Sequence, residues 1–235
     1  MKIKYIHHSG FILEDEKLAL MIDCCGLTRE SEEIKACTGK PLYIMASHSH
    51  GDHYDPEILN MGDESRKIIL SEDIRKKIRK PMDIHYIDKG GVYRDELLTI
   101  KAYGSTDVGV SFYIETAGFK IFHAGDLNNW HWNEEETPQD AAKNEKFYLD
   151  ELKLIAAEVP SLDALMFPID PRLGKDYTRG AEQFLDRIKV GLFIPMHFWD
   201  NSKAANAFKQ TAESKGCRFA EIKPERNIFE VTAAP

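Results

Sequence analysis

Short apolar stretches alternate with turns through the opening third of the chain. KIKYI, FILED and LALMID are each bounded by Gly, Ser or charged residues, the pattern of antiparallel strands. PLYIMAS is almost continuously apolar, which predicts a strand buried on both faces, and Asp55 followed by Pro56 predicts a capped helix start just beyond it. KIIL at 67–70 reads as another buried strand, and Ser71, Glu72 and Asp73 open a helix that Pro81 stops. From 84 to 123 strands return as IHYID, GGVY, LLTIKAY, VSFYIET and FKIFH, with residues 116–119 forming a hairpin turn.

Tyr148, Leu152, Ile155, Ala156 and Val159 recur at helical spacing, so 139–159 is expected to be an amphipathic helix. LDALMFPID and GLFIPMH read as buried strands, Ala181, Phe184, Leu185 and Ile188 mark a helix between them, and a last helix over 204–214 precedes a terminal strand pair. Strands then helix, twice over, suggests two similar halves. Packing their sheets face to face gives an α/β fold, a four-layer αββα sandwich. No short-period repeat, low-complexity segment or linker interrupts 1–235, so a single domain is expected.

Composition narrows the function. The chain has 235 residues, is 43% hydrophobic and carries a net charge of −8, a globular balance that disfavours a nucleic-acid partner. The basic stretch RKKIRK at 75–80 reads as a solvated helix face. No apolar run approaches the roughly 20 residues of a membrane span, and the start lacks a secretory stretch, so a cytoplasmic protein without membrane contact is expected. The four cysteines show no CxxC spacing and read as reduced thiols.

The strongest chemical signal is HSHGDH at 48–53, lying between a buried strand and a helix start. His48 and His50, two apart in extended chain, point the same way, while Asp52 and His53 converge from the following turn. Imidazole nitrogens and carboxylate oxygens suit zinc and neighbouring first-row metals. FHAGD adds His123 and Asp126 after another strand, and IPMHFWD adds His197. A carboxylate such as Asp126 can bridge two cations about 3.5–4 Å apart, as in two-metal hydrolytic sites.

With these landmarks the chain resembles the metallo-β-lactamase-fold hydrolases, whose signature is HxHxDH, a distant His, a bridging Asp and a final His. The resemblance implies a first metal on His48 and His50, a second on Asp52, His53 and His197, and Asp126 between them. IHHSGFIL further resembles the opening of the ascorbate-6-phosphate lactonase branch. One departure stands out: YGSTDVGVSF puts Ser105 where the family has the third histidine of the first site. Asp107 or His123 could replace it, or the first position stays partly filled. An oxygen donor there would shift preference from zinc toward manganese or iron.

The expected protein is therefore a hydrolase holding one or two Zn²⁺ ions, with Mn²⁺ or Fe²⁺ as alternatives. It would use metal-activated water on a small-molecule ester, lactone or phosphate-bearing substrate. Asp52 is expected to orient the water and pass a proton to the leaving group. Trp130, His131 and Arg172 are candidates for substrate binding, His7, His8 and His85 read as structural with His8 closest to the site, and homo-oligomers remain compatible with the sequence. Two rivals stay open: a nuclease or phosphodiesterase of the same fold, and a non-catalytic metal-binding or sensor protein with an incomplete first site.

Overall fold

The computed structural model describes residues 1–79, 82–223 and 227–232; Pro81 and Lys80, the expected helix stop and the end of the basic stretch, lie outside them. Strands β1 (Lys2–Tyr5), β2 (Phe11–Glu14), β3 (Ala19–Ile22), β4 (Leu42–Ala46), β5 (Lys67–Ser71) and β6 (Ile84–Ile87) occur in the first part of the chain. A second series follows as β7 (Val92–Arg94), β8 (Leu98–Gly104), β9 (Val110–Thr116), β10 (Phe119–His123), β11 (Ser161–Pro168), β12 (Lys189–Met196), β13 (Arg218–Phe219) and β14 (Ile228–Glu230). They build two seven-stranded sheets, ordered β14-β1-β2-β3-β4-β5-β6 and β13-β12-β11-β10-β9-β8-β7.

Each sheet is antiparallel in its earlier strands and parallel in its later ones: β3 to β6 run parallel, as do β10 to β13. Parallel neighbours need crossover connections, and these supply the outer layers. On the first sheet the crossovers are α1 (Glu32–Ala36) and two 3-10 segments, Pro56–Asn60 and Glu72–Lys77. On the second they are α2 (Pro138–Glu158), α3 (Arg179–Leu185), α4 (Ser202–Ala207) and α5 (Lys209–Ser214). The αββα arrangement is thus present, with strand-to-strand burial showing why.

In the first sheet Leu20, Ile22, Tyr43, Met45 and Ile69 face the second sheet, while Ala19, Met21, Ile44, Ile68 and Leu70 pack under Ile34, Ile58 and Ile74 of the outer segments. Strict alternation with both faces apolar is the pattern of a sheet covered twice. In β11 the run from Leu162 to Pro168 is buried throughout, for the same reason.

Several element boundaries differ from expectation. The helices opened by Asp55 and Ser71 are 3-10 turns; Asp55 does accept from Glu57 N, but only five residues separate it from the next chain reversal, too few for α-helical nucleation to be repaid. The last helix divides at Phe208, whose ring is buried against Phe193. The closing strands do not pair with each other: β13 joins β12, and β14 crosses to β1. The hairpin at 116–119 is as expected, with Ala117 and Gly118 both at positive φ, 49° and 81°.

Asp95 ties the β7–β8 turn to the first sheet. It accepts from the Tyr43 hydroxyl (2.7 Å), the Tyr93 hydroxyl (3.0 Å) and the backbone of Leu97 and Leu98. Burial pushes its carboxyl up, but these donors outweigh burial and hold it below the usual carboxylate range. Its contribution is therefore fully present above an unfolded value near 3.9 and is lost as pH falls through the lower folded one. Asp95→Ala is expected to cost on the order of 1–2 kcal/mol at pH 7 and clearly less near pH 3, read from urea denaturation at both pH values. An equal cost at both would show that the ionised form is not what the tyrosines hold.

Candidate metal centre

The carboxyl ends of seven strands meet at one rim of the sandwich. His8 follows β1, Asp23 follows β3, HSHGDH follows β4, Ser105 and Asp107 follow β8, Asp126 follows β10, Asp170 follows β11 and His197 follows β12. Loops at strand carboxyl ends are where open α/β sheets present ligand sites.

Backbone strain concentrates there. His8 (φ 52°), Asp23 (φ 51°), Trp132 (φ 44°), His197 (φ 57°) and Trp199 (φ 54°) are left-handed although none is glycine. Such conformations persist only where the surroundings over-determine them. Gly109 brings the two sheets together at the rim: its φ is +75°, and a Cβ there would lie 2.2 Å from Ser47 O and 2.5 Å from His48 Cβ. The neighbouring Val110 N donates to Ser47 O at 3.0 Å, fastening the start of HSHGDH to the second sheet.

The imidazoles are aimed from behind. His53 Nδ1 meets Asp23 Oδ2 at 2.7 Å, His197 Nδ1 meets Asp170 Oδ2 at 2.9 Å, and His48 Nδ1 meets Ser47 Oγ at 3.1 Å. Asp23 also accepts from Ser47 N and Oγ. With Nδ1 engaged, each ring turns its Nε2 toward Asp126, at 3.3 Å for His48, 3.0 Å for His53 and 3.4 Å for His197. The closest of these, His53 Nε2 to Asp126 Oδ1, lies at hydrogen-bond distance without hydrogen-bond alignment, leaving both atoms buried and unpartnered.

Around Asp126 the candidate ligands divide into two groups, each with ligand atoms within 4.8 Å of one another: His48, His50, Asp107 and Asp126, and His8, Asp52, His53 and His197. Asp107 reaches His50 Nδ1 at 3.4 Å, while Ser105 Oγ accepts from Asp107 N at 3.2 Å and shapes the turn. His8 Nε2 lies 3.2 Å from Asp52 Oδ2.

The electrostatics follow burial and partners. Burial pushes the Asp126 carboxyl up, but contacts with His48 and His53 hold it well below its ordinary value. Contact with His8 is the main cause that lowers the Asp52 carboxyl. Burial disfavours charge on His53, yet Asp23 and Asp126 outweigh it and raise the imidazole to about 10. For His8 burial dominates and lowers the value.

His123 and His131 stand outside both groups. His123 Nε2 bonds Ser9 O at 2.8 Å and its Nδ1 accepts from Gly125 N, so both nitrogens serve the backbone. His131 is likewise spent, on Asp176 O and Asn133 N. Trp130 donates from Nε1 to Asp126 O at 2.8 Å and stacks on Trp132. Arg172 forks onto Asp170 and lies 4.7 Å from the Trp199 ring. Trp130, Trp132, Trp199 and Arg172, but not His131, wall a cleft of about 460 Å³ that also borders His50, Asp52, Asp126 and His197.

Sequence reasoning missed Asp23 and Asp170 as supports and His8 as a member of the second group. The signal for the two acids was there in kind, a carboxylate directly after a buried strand, but nothing local says which distant ring it backs.

A family model described as a β-lactamase superfamily domain matches residues 2–141. A UPF0173 metal-dependent hydrolase of Symbiobacterium thermophilum is 26% identical over 211 residues, covering 84% of each chain. Another of the same description, from Desulforamulus reducens, is 26% identical over 237 residues, covering 91% of this chain and 92% of the relative. Among solved structures, Igni18, a novel metallo hydrolase from Ignicoccus hospitalis, superposes with a TM-score of 0.67 at 20% identity, covering 97% of this chain and 98% of its own.

Gly109→Ala adds left-handed strain to overpacking against the strand end that carries His48. The expected loss is about 2–5 kcal/mol, measured as a lowered urea midpoint. An unchanged midpoint would show that the close approach is dispensable.

Proposed function

The chain belongs to the β-lactamase superfamily, and we propose that it is a metal-dependent hydrolase acting on a small ester, lactone or phosphate-bearing substrate. The observation that carries this reading is the pair of imidazole–carboxylate groups joined through Asp126. The donors fit metal ions: His53 Nε2 and Asp126 Oδ1 are buried without hydrogen-bond partners, a cost that cation coordination removes. His48, His50, Asp107 and Asp126 would hold one ion, and Asp52, His53 and His197 the other, with Asp126 shared. Nitrogen and oxygen donors suit Zn²⁺, with Mn²⁺ or Fe²⁺ favoured more at the position containing Asp107. When bound, the ions supply Lewis-acid polarisation of a carbonyl or phosphoryl oxygen and bring the pKa of water toward about 7.

The chain's own groups do the rest. Asp52, about one-third exposed and facing the cleft, orients the attacking water and passes a proton to the leaving group. Asp23 and Asp170 hold His53 and His197 in the tautomer that leaves Nε2 free. Trp130, Trp132 and Trp199 wall the cleft with apolar surface, and Arg172, stacked there and oriented by Asp170, faces an anionic or carbonyl-bearing end of the substrate. The stretch beyond the matched family region supplies Asp170, Arg172 and His197, which supports reading 1–235 as one hydrolase domain. Asp107 beside His50 favours a filled first position over a binding-only sensor, and the net charge of −8 disfavours a nuclease.

Protein reconstituted with zinc is expected to carry two equivalents by elemental analysis, and Asp107→Ala about one. Hydrolysis within a panel of lactones, carboxylic esters and phosphoesters should disappear on chelation and return with metal. Asp52→Asn should lower kcat by roughly 10²-fold or more even at zinc concentrations that restore full metal content. Turnover that survives exhaustive chelation, or a two-metal protein inert on the whole panel, counts against the proposal.

A further inference from the structure

His8 is the least explained side chain at the rim. It is 2% exposed, neither ring nitrogen has a hydrogen-bond partner among the described residues, and its backbone is held at φ 52°. A buried imidazole without partners is costly, and a strained backbone beneath it adds to that cost. Its position is nonetheless closely determined: the His8 carbonyl accepts from His197 N at 3.0 Å, and its ring lies 4.2 Å from that of His197 and 5.6 Å from that of His53.

Resting on the metal-centre reading above, we infer that His8 is an additional protein ligand of the buried position, closing it with His53, His197 and Asp52 beside the shared Asp126. Neighbouring ligand atoms bound at about 2.0–2.2 Å lie roughly 2.8–3.6 Å apart, and His8 Nε2 already stands 3.2 Å from Asp52 Oδ2. The set is three imidazoles with Asp52 and the shared Asp126, a nitrogen-rich donor set that suits zinc.

The two positions are then unlike. His8, His53 and His197 are all nearly withdrawn from solvent, and neither His8 nor His53 borders the cleft. In the other group His50 and Asp107 have side chains 48% and 44% exposed, and the donors are two imidazoles and two carboxylates. A position closed by protein ligands alone retains its ion, whereas one with exposed ligands keeps places for water or substrate. The buried ion is the tightly held anchor, and the ion beside His50 and Asp107 is the exchangeable one that meets the substrate. His8 Nδ1 has no acceptor behind it, unlike Nδ1 of His53 and His197, so losing this imidazole weakens binding without dismantling a hydrogen-bond network.

The test titrates metal-free full-length protein with Zn²⁺ against a competing chelator, and records X-ray absorption at one equivalent. Asparagine tolerates the left-handed backbone, so His8→Asn removes the imidazole with little added strain. Wild type is expected to show a tight and a weaker class, with three imidazoles around the first ion. His8→Asn should weaken the tight class at least tenfold and reduce the count to two, whereas Asp107→Asn should weaken only the other class. Unchanged tight affinity in His8→Asn, or two imidazoles around the first ion in wild type, overturns the role of His8 while leaving a two-metal centre intact. The wild-type spectrum decides the matter even if the variant fails to fold, and a wild type that binds no zinc overturns the centre itself.

Discussion

The carboxylate of Asp126 stands only 5% exposed at the seam between two sheets, with the rings of His48, His53 and His197 turned toward it. An isolated buried carboxylate would be intolerable, and three imidazoles packed together would be poorly solvated and mutually repulsive if charged. Each is the other's partial compensation. Because the four side chains come from β4, β10 and β12 and the loops behind them, satisfying this one group requires both sheets to be in place at once.

The supporting groups can be understood from that requirement. Asp23 and Asp170 are themselves fully buried carboxylates, each compensated by the ring it orients and by further donors, Ser47 in one case and Arg172 in the other. The left-handed residues at the rim and the close approach at Gly109 are what it takes to bring strand ends from opposite sheets within reach of a common point. The hydrophobic core between the sheets offsets this strain; the aromatic layer beneath α2 and α3, with Phe167 packed against both Tyr148 and Phe184, has no chemical duty.

Most of the architecture was legible along the chain, because burial of a sheet on both faces writes itself as alternating or continuous apolar runs. KIIL, LDALMFPID and GLFIPMH could hardly be anything other than interior strands, and α2 carries a clear stripe in Tyr148, Leu152 and Ile155. Where the reading slipped, the deciding energy was not local. Asp55 and Pro56 signal a helix start, yet how many turns follow depends on the distance back to the next parallel strand. The terminal strands look like a pair in sequence, but Arg218 and Phe219 find an open edge at β12, and Ile228 and Phe229 find one at β1.

The metal-ligand character of HSHGDH, Asp126 and His197 came from residue type and spacing alone, since few other arrangements call for so many imidazoles and carboxylates at strand ends. What sequence could not decide was which of several similar residues takes part. Asp107 and His123 were both candidates for the place of the third histidine, and His8 read as structural although it was the best placed of His7, His8 and His85 to lie near the site. Only the folded chain separates them: His123 spends its nitrogens on Ser9 O and Gly125 N, whereas Asp107 and His8 arrive with oxygen or nitrogen atoms facing the centre. Membership in such a site depends on side-chain direction and on leftover hydrogen-bonding capacity, and both arise from contacts between segments far apart in the chain.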